Sequence, residues 1–317
     1  MKAVQIKRYG GPEVLELCEL PAPKPGAGEV LVKVRATSVN PIDWRIRSGS
    51  VKMFVRKELP FVLGCDIAGE VVEAPQGSQL KAGDAVFASL PGDTGAYAEL
   101  VCVPEPLVAR KPSNMTFEEA ASVPAVAETA LQALRDLGGL KAGQNVLVNG
   151  ASGGVGIFAV QIARALGATV TGVCSTPNVA LVQGLGADKV VDYKTADVFK
   201  QEGGAPYDVV LDCISNHDFG AFRAIMSKQS VYVATSPRSW PASFARQTFL
   251  NPFAAQKAKI IILKHTPGNL QWIGEQIEAG KIKTIIDRVV PISEVGEAHK
   301  YSETGRAKGK IVMTVQA

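Results

Sequence analysis

Residues 145–176 read NVLVNGASGGVGIFAVQIARALGATVTGVCST, and this stretch decides the fold. A short apolar run, NVLV, leads into Gly150, Gly153 and Gly156, and a segment rich in alanine and isoleucine follows at once. The spacing is GxxGxxG. Glycines so placed allow a tight turn and let backbone N–H groups approach a pyrophosphate at the positive end of a helix. A glycine triplet alone is weak evidence, because glycine-rich turns are common. The context strengthens it, with a strand-like run before, a helical segment after, and the same alternation repeated beyond.

Further along the chain, ATVTGVC, KVVDY, YDVVLDC, SVYVATS and KIIILK complete a set of six strand-like runs that begins with NVLVNG. Helical stretches such as IFAVQIARALG and NVALVQGLG separate them, each ending at glycine. Short apolar strands alternating with helices imply a parallel sheet covered on both faces, an α/β architecture. Towards the N-terminus, FEEAASVPAVAETALQALRDLGGL reads as helix broken near Pro124. Before it, KAVQIKR, EVLVKVRATSV, IAGEVVEA and AYAELVCV are short runs divided by punctuation such as PAPKPGAGE. They imply a compact antiparallel or barrel-like β-rich domain. The tail, ISEVGEAHKYSETGRAKGKIVMTVQA, gives one more helix and a last strand that is expected to return to the first domain.

Composition narrows the function classes. The 317 residues suit about two domains, and 46% hydrophobic with 20% charged residues supports packed cores rather than disorder. The net charge of +4 is small, and Lys and Arg are dispersed, so no nucleic-acid partner is expected. Cys18, Cys65, Cys102, Cys174 and Cys213 are far apart, with no CxxC pair. Neither a disulfide framework nor a zinc knuckle is implied, and free thiols fit a reducing, cytoplasmic location. MKAVQIKRYG already reads as a strand, with no targeting segment before it, and no apolar run approaches a membrane span.

The end of the second Rossmann-type strand bears on cofactor choice. Sites for NAD usually place a carboxylate there to bond the ribose 2′-hydroxyl. Here stand Cys174, Ser175, Thr176, Pro177 and Asn178, so NADPH is the expected cofactor.

GGPEVLEL, NPIDWRIRSG, GASGGVG and the closing GRAKGKIVM, in this order, resemble the medium-chain dehydrogenase/reductase superfamily in its zinc-free, zeta-crystallin-like quinone oxidoreductase branch. NPIDWRI, CDIAGEVVE, LGADKVVDYKT and GKIKTIID are most similar to its chloroplast envelope quinone oxidoreductase and enone reductase group. The resemblance implies a GroES-like catalytic domain over 1–117 and 288–317, a Rossmann domain over 118–287, and an active site in the cleft between them. Zinc-containing relatives carry a Cys, then a His in a GHE motif, then a further Cys or Asp. Asn40 stands near the first position here and Gly64-Cys65-Asp66 replaces GHE, so no metal is expected, and Cys65 and Asp66 are read as packing and hydrogen-bonding residues.

Without a metal to stabilise an alkoxide, alcohol oxidation is hard, whereas hydride delivery to an enone β-carbon or a quinone is easier. The implied reaction is reduction of α,β-unsaturated carbonyls, with quinone reduction as the rival. A non-catalytic, structural or RNA-binding role, known for zeta-crystallin-like proteins, is a further alternative. By the resemblance, Asn40, Trp44 and Arg45 line the site near nicotinamide and substrate, and Arg45 helps to hold NADPH and to polarise the carbonyl. Aligned relatives have Lys at the Arg45 position. Asp43 either positions Arg45 or caps a turn. Thr129 would contact the nicotinamide side; Gly153, Gly154 and Val155 the pyrophosphate; Ser175, Thr176, Asn178 and Tyr193 the 2′-phosphate. Ile214 and Thr235 lie at later strand ends facing the cofactor, and Arg306 returns towards it. Pro177 stands where relatives often have Arg, so Arg306 or Lys189 is the candidate substitute cation.

Other signals are weaker. Trp240, Phe244, Phe249 and Phe253 lie in a segment interrupted by Pro241 and Pro252, read as core or dimer contact rather than as a substrate channel or membrane-contact surface. An apolar KIIILK edge strand needs covering, which implies a homodimer. His217, His265 and His299 have no partner at catalytic spacing, a surface or capping role is expected for His217, and Tyr97 is expected in the core.

Overall fold

The computed structural model describes residues 1–53, 55, 58–91, 95–200, 204–235 and 255–315. The aromatic segment with Trp240, Phe244, Phe249 and Phe253 lies outside the described residues. Contacts group the chain into two units, the first comprising Met1–Ala125, His265–Gly280 and Thr284–Ala317, the second Val126–Lys264 and Lys281–Lys283.

In the second unit, six parallel strands lie in the order Lys189–Asp192, Thr169–Cys174, Asn145–Asn149, Tyr207–Asp212, Met226–Ala234, Lys257–Ile260. Numbered along the chain this is 3-2-1-4-5-6, the doubly wound Rossmann order. Val146, Leu147 and Val148 are all fully buried, as expected when helices cover both faces of a strand. The sixth strand differs from its expected position. Lys257–Ile260 pairs where KIIILK was expected, and Ile262 is 77% exposed. The pairing follows the period-two pattern Lys-Ala-Lys-Ile, and Lys259 Nζ donates to Leu137 O at 2.7 Å.

The first unit is built on the long strand Glu29–Val39, which pairs antiparallel with Asp66–Glu73, Leu100–Pro104 and the C-terminal strand Lys310–Thr314. The tail therefore returns to the β-rich unit. Val30, Val32, Val34, Ile67, Val71, Val86 and Ala88 form its core. The unit also contains the short strands Glu16–Glu19, Phe61–Val62, Ala85–Ser89, Val108–Arg110 and Ile286–Pro291.

Two boundaries of these units depart from the expected divisions at 117 and 288. Ala125 N donates to Asp66 Oδ1 at 2.8 Å, tying the start of the long helical region to the first unit. The helix Asn269–Glu278 also groups there, where it buries Leu270, Ile273 and Ile277 and accepts Asn114 Nδ2 at Ile277 O, 3.0 Å. The expected helical region after Ser113 is split into Phe117–Ala121 and Pro124–Leu131, with Pro124 at a helix start where its missing N–H costs nothing.

Candidate active site

The glycine loop is a built anion cradle. Gly150 adopts φ +85°, a left-handed conformation, directly after the first Rossmann strand. A Cβ on Gly156 would lie 2.1 Å from Gly150 O and 2.7 Å from Ala151 Cα, so the helix can approach the strand only with glycine there. Gly153 is the N-cap of the 12-residue helix Gly154–Ala165 and no side chain caps it. The first helical N–H groups, from Gly154 and Val155, are thus left for an outside acceptor at the positive end of the helix dipole. A dinucleotide pyrophosphate fits this donor set.

Other expected cofactor residues cluster at the same edge of the sheet. Asn178 donates through Nδ2 to Ser152 Oγ (3.0 Å) and Ser175 Oγ (3.2 Å), joining the phosphate loop to the end of the second strand, while its Oδ1 is buried without a partner. Tyr193 is exposed, and Lys194 Nζ sits 5.2 Å from its ring centroid. Beside them stands a carboxylate from the third strand. Asp192 is held below the ordinary carboxylate range, first by the Thr176 side-chain hydrogen bond and then by the Lys194 backbone N–H at 2.9 Å. Lys189 begins the third strand, at the end away from Tyr193, whereas Lys194 lies beside that ring.

The sheet reverses direction of growth between the first and fourth strands, and that switch point is where doubly wound sheets bind ligands. Ile214 lies over Gly150, whose Cβ would meet its Cδ1 at 2.7 Å. Asp212, fully buried, holds this turn. Its Oδ1 accepts Asn149 Nδ2 (2.9 Å), Ile214 N (3.0 Å) and Ser215 N (2.8 Å), and its Oδ2 accepts Tyr232 OH (2.6 Å). Thr235 N donates to Asp212 O at 3.0 Å, which places it at the adjacent strand end. Thr129 is half-buried on the helix Pro124–Leu131.

In the first unit, NPIDWR forms the helix Pro41–Arg47 with Asn40 as N-cap and Pro41 at its start. Asp43 caps it, accepting Asn40 N at Oδ2, 2.7 Å. The same oxygen accepts Tyr97 OH at 2.9 Å. Beyond Tyr97, its hydroxyl meets His299 Nε2 at 3.2 Å, His299 Nδ1 meets Arg47 Nη1 at 3.2 Å, and Arg47 Nη2 reaches Glu303 Oε1 at 2.6 Å. Because guanidinium only donates, His299 accepts at Nδ1 and carries its proton on Nε2. Burial, helped by Arg47, holds His299 down at about 3, so it stays neutral. Burial pushes Asp43 up to about 7.

Asn40, Cys65 and Asp66 come together as well. Asn40 Nδ2 donates to Asp66 Oδ2 at 2.7 Å and to Cys65 Sγ at 3.3 Å, and its Oδ1 accepts Lys310 Nζ at 2.6 Å. Ser38 Oγ also donates to Asp66 Oδ2, 2.7 Å. Cys65 and Asp66 therefore pack and accept hydrogen bonds, and burial raises the Cys65 thiol well above its ordinary value. Trp44 Nε1 is buried with no partner, and Arg45, half-buried, lies 5.2 Å from the Trp44 ring centroid. Arg306 lies in an exposed turn of the same unit, its backbone N–H 3.3 Å from Thr304 Oγ1.

Comparison with known proteins agrees with this geometry. Residues 26–113 match the alcohol dehydrogenase GroES-like domain, and residues 185–313 the zinc-binding dehydrogenase family. The chloroplast envelope quinone oxidoreductase homolog of Arabidopsis thaliana is 36% identical over 328 residues, covering 99% of this chain and 98% of its own. The chain belongs to the medium-chain dehydrogenase/reductases, in their quinone oxidoreductase branch. The 2-methylene-furan-3-one reductase of Solanum lycopersicum is 34% identical, covering 99% of this chain and 79% of its own. The mycobacterial protein Rv1454c, solved in complex with NADPH, superposes with a TM-score of 0.85 at 29% identity, covering 99% of this chain and 100% of its own. The chain is accordingly an oxidoreductase with a GroES-like and a Rossmann unit.

Within that family, three features escape a reading of sequence. Asp212 ends a strand as one more acidic residue; only the fold turns it into the keystone of the switch-point turn. Lys310 looks like a surface lysine in GRAKGKIVM yet is 3% exposed. His299, with no partner nearby in sequence, is fully buried between Tyr97 and Arg47, whereas His217 is exposed and packs edge-on against Phe199, 5.0 Å between centroids. Among the described residues no group of three or more His, Cys, Asp or Glu side chains is placed to hold a metal, and no helix is long and apolar enough to cross a membrane.

Proposed function

We propose that this oxidoreductase reduces the carbon–carbon double bond of α,β-unsaturated carbonyl compounds with NADPH. The uncapped helix start behind Gly153, with no room for a side chain at Gly156, is the observation that carries the dinucleotide reading. Gly153, Gly154 and Val155 hold the pyrophosphate; Ser175, Thr176, Asn178 and Tyr193 bind the adenosine end; Ile214, Thr235 and Thr129 face the rest of the cofactor, and the family resemblance adds Arg306. When bound, the cofactor supplies a hydride. Arg45 donates to the substrate oxygen on which negative charge accumulates, and Trp44, with its free indole N–H, offers a second donor. Asn40 has both amide hydrogens engaged, so its part is to hold this helix start rather than to touch substrate. A proton from solvent completes the product at the α-carbon.

NADPH is favoured by the absence of a carboxylate on residues 174–178 and by the likeness to a protein solved with NADPH. The enone substrate is favoured by the likeness to a 2-methylene-furan-3-one reductase. Quinone reduction is the second reading, favoured by the likeness to a quinone oxidoreductase homolog. A homodimer formed through the outer side of Lys257–Ile260, where no described strand pairs, and a cytoplasmic location complete the proposal.

Anaerobic NADPH oxidation, with a linear enone and a simple quinone offered separately, tests it. Faster enone turnover is expected, and Arg45→Ala should lose about 10²-fold or more in kcat/KM. Turnover of the quinone alone would transfer the assignment to the second reading, and an unimpaired Arg45→Ala would remove Arg45 from the site.

A further inference from the structure

Lys310 is the one charged side chain of the C-terminal strand Lys310–Thr314, and it points inward. Its Nζ has three acceptors, Asn40 Oδ1 at 2.6 Å, Val39 O at 3.2 Å and Asp66 Oδ2 at 3.5 Å, one for each ammonium hydrogen. Asp66 is fully buried and Lys310 nearly so. Taking two opposite charges out of water is costly, and an apolar pair often serves stability as well. What the ion pair supplies that an apolar pair cannot is direction. Lysine only donates and an ionised carboxylate only accepts, so the Asn40 amide, between Lys310 at its oxygen and Asp66 at its nitrogen, has a single orientation. Asn40 is in turn the N-cap of the helix Pro41–Arg47, and its own N–H is held by Asp43 at 2.7 Å.

We infer that Lys310 is a positioning residue of the reductase, acting through Asn40 to set the helix that presents Trp44 and Arg45. This rests on the proposed function, in which those two side chains meet the substrate. It also gives the buried ammonium a reason. A single strand contributed by the end of the chain fixes the start of a helix about 270 residues earlier in sequence, a separation of 270 between Lys310 and Asn40.

The test compares wild type, Lys310→Met, Asp66→Asn and the double variant Lys310→Met/Asp66→Asn. Lys310→Met leaves Asp66 buried and unpaired and can fail to fold; the double variant removes both charges and is then judged against Asp66→Asn. Two quantities are read: kcat and the NADPH KM on the preferred substrate, and the emission maximum of Trp44 with Trp240 and Trp272 replaced by Phe. Loss of Lys310 should lower kcat by about tenfold or more, the scale on which small misplacement acts, and shift the Trp44 emission. The NADPH KM should change less than about twofold, because most cofactor contacts belong to the other unit. Wild-type kcat with unshifted Trp44 emission in a folded variant lacking Lys310 would overturn the inference. Should the wild type reduce neither enone nor quinone, the proposed function fails instead, and the Trp44 emission still decides whether Lys310 orients the helix.

Discussion

The glycine loop and the polar cluster around Asn40 perform comparable tasks by opposite means. The loop spans seven residues, Gly150 to Gly156, and works through the backbone: one left-handed glycine, one close approach, one uncapped helix start. The cluster draws on Asn40, Asp43, Asp66, Tyr97, His299 and Lys310, scattered over most of the chain, and works through side-chain hydrogen bonds. A backbone device must repeat its residue spacing wherever it occurs, because the turn geometry demands it. A side-chain network has no such spacing to keep, since the fold supplies the proximity. The first kind of site is readable in a sequence and the second is not.

Breaking the loop should have the largest effect. Gly156→Val places a branched side chain where even a Cβ would lie 2.1 Å from a backbone oxygen, so strand and helix must separate. Affinity for NADPH, followed by its fluorescence on titration, should fall by about 10²-fold or more, if the unit folds at all. Gly153→Ala is the control. Its Cβ would stand 3.5 Å from Gly150 O, an ordinary contact, and the loop should keep its shape. Equal losses for the two variants would mean that the cradle depends on something other than this close approach.

The same contrast explains what could be read in advance. The strand–glycine–helix run, the alternation of the Rossmann unit and the return of the C-terminal strand all follow from local pattern, and all are present. NPIDWR was recognisable as a motif, and the alternative roles of Asp43 resolve to capping because Asn40 N lies 2.7 Å from its carboxylate. Hidden were the residues whose meaning is tertiary. Lys310 carries the composition of a solvent-facing lysine, and Asp212 that of a turn residue. The sixth strand starts two residues before KIIILK: the apolar run III is the louder signal, but the sheet uses the quieter alternation of Lys257–Ile260. Asp192 is hidden for a related reason. The end of the second strand carries no carboxylate, and the one at that corner comes from the third, paired in register with Cys174.

A middle-sized effect would sharpen the view of the cluster as one network. Burial lifts Asp43 from 3.8 to about 7, so between these values the folded chain holds a proton that the unfolded chain has lost. That contribution to stability is present at low pH and disappears as pH rises through 7. His299 acts in the other sense. Burial and Arg47 lower it from 6.5 to about 3, so below 6.5 the unfolded chain takes up a proton that the folded chain refuses, and stability falls with pH. The two slopes oppose each other across mildly acidic pH, each at most about 1.4 kcal/mol per pH unit. Melting temperatures between pH 7.5 and 4.5 should therefore separate the variants. His299→Gln should lose less stability than wild type on acidification, and Asp43→Asn should lose more. Parallel curves for all three proteins would show that neither group titrates as its surroundings imply.

The smallest expected effect lies at the adenosine corner, where the loop region borrows a side chain in the manner of the cluster. The Asp192 carboxylate, kept ionised by Thr176 and the Lys194 N–H, stands beside residues proposed to receive the 2′-phosphate. A negative charge there opposes a phosphate and does not oppose a hydroxyl, so it should temper the preference for NADPH over NADH. The site is open to solvent, which screens the charge, and Lys194 offsets part of it. Asp192→Asn keeps the acceptor for Thr176 and removes the charge. The ratio of kcat/KM for NADPH to that for NADH should then rise a few-fold, less in high salt than in low. A ratio that stays fixed at low salt would place the 2′-phosphate away from Asp192. A fall would mean that Asp192 serves this corner by ordering Thr176, which would bring it into line with Asp43, Asp66 and Asp212 as a carboxylate that works by holding its neighbours in place.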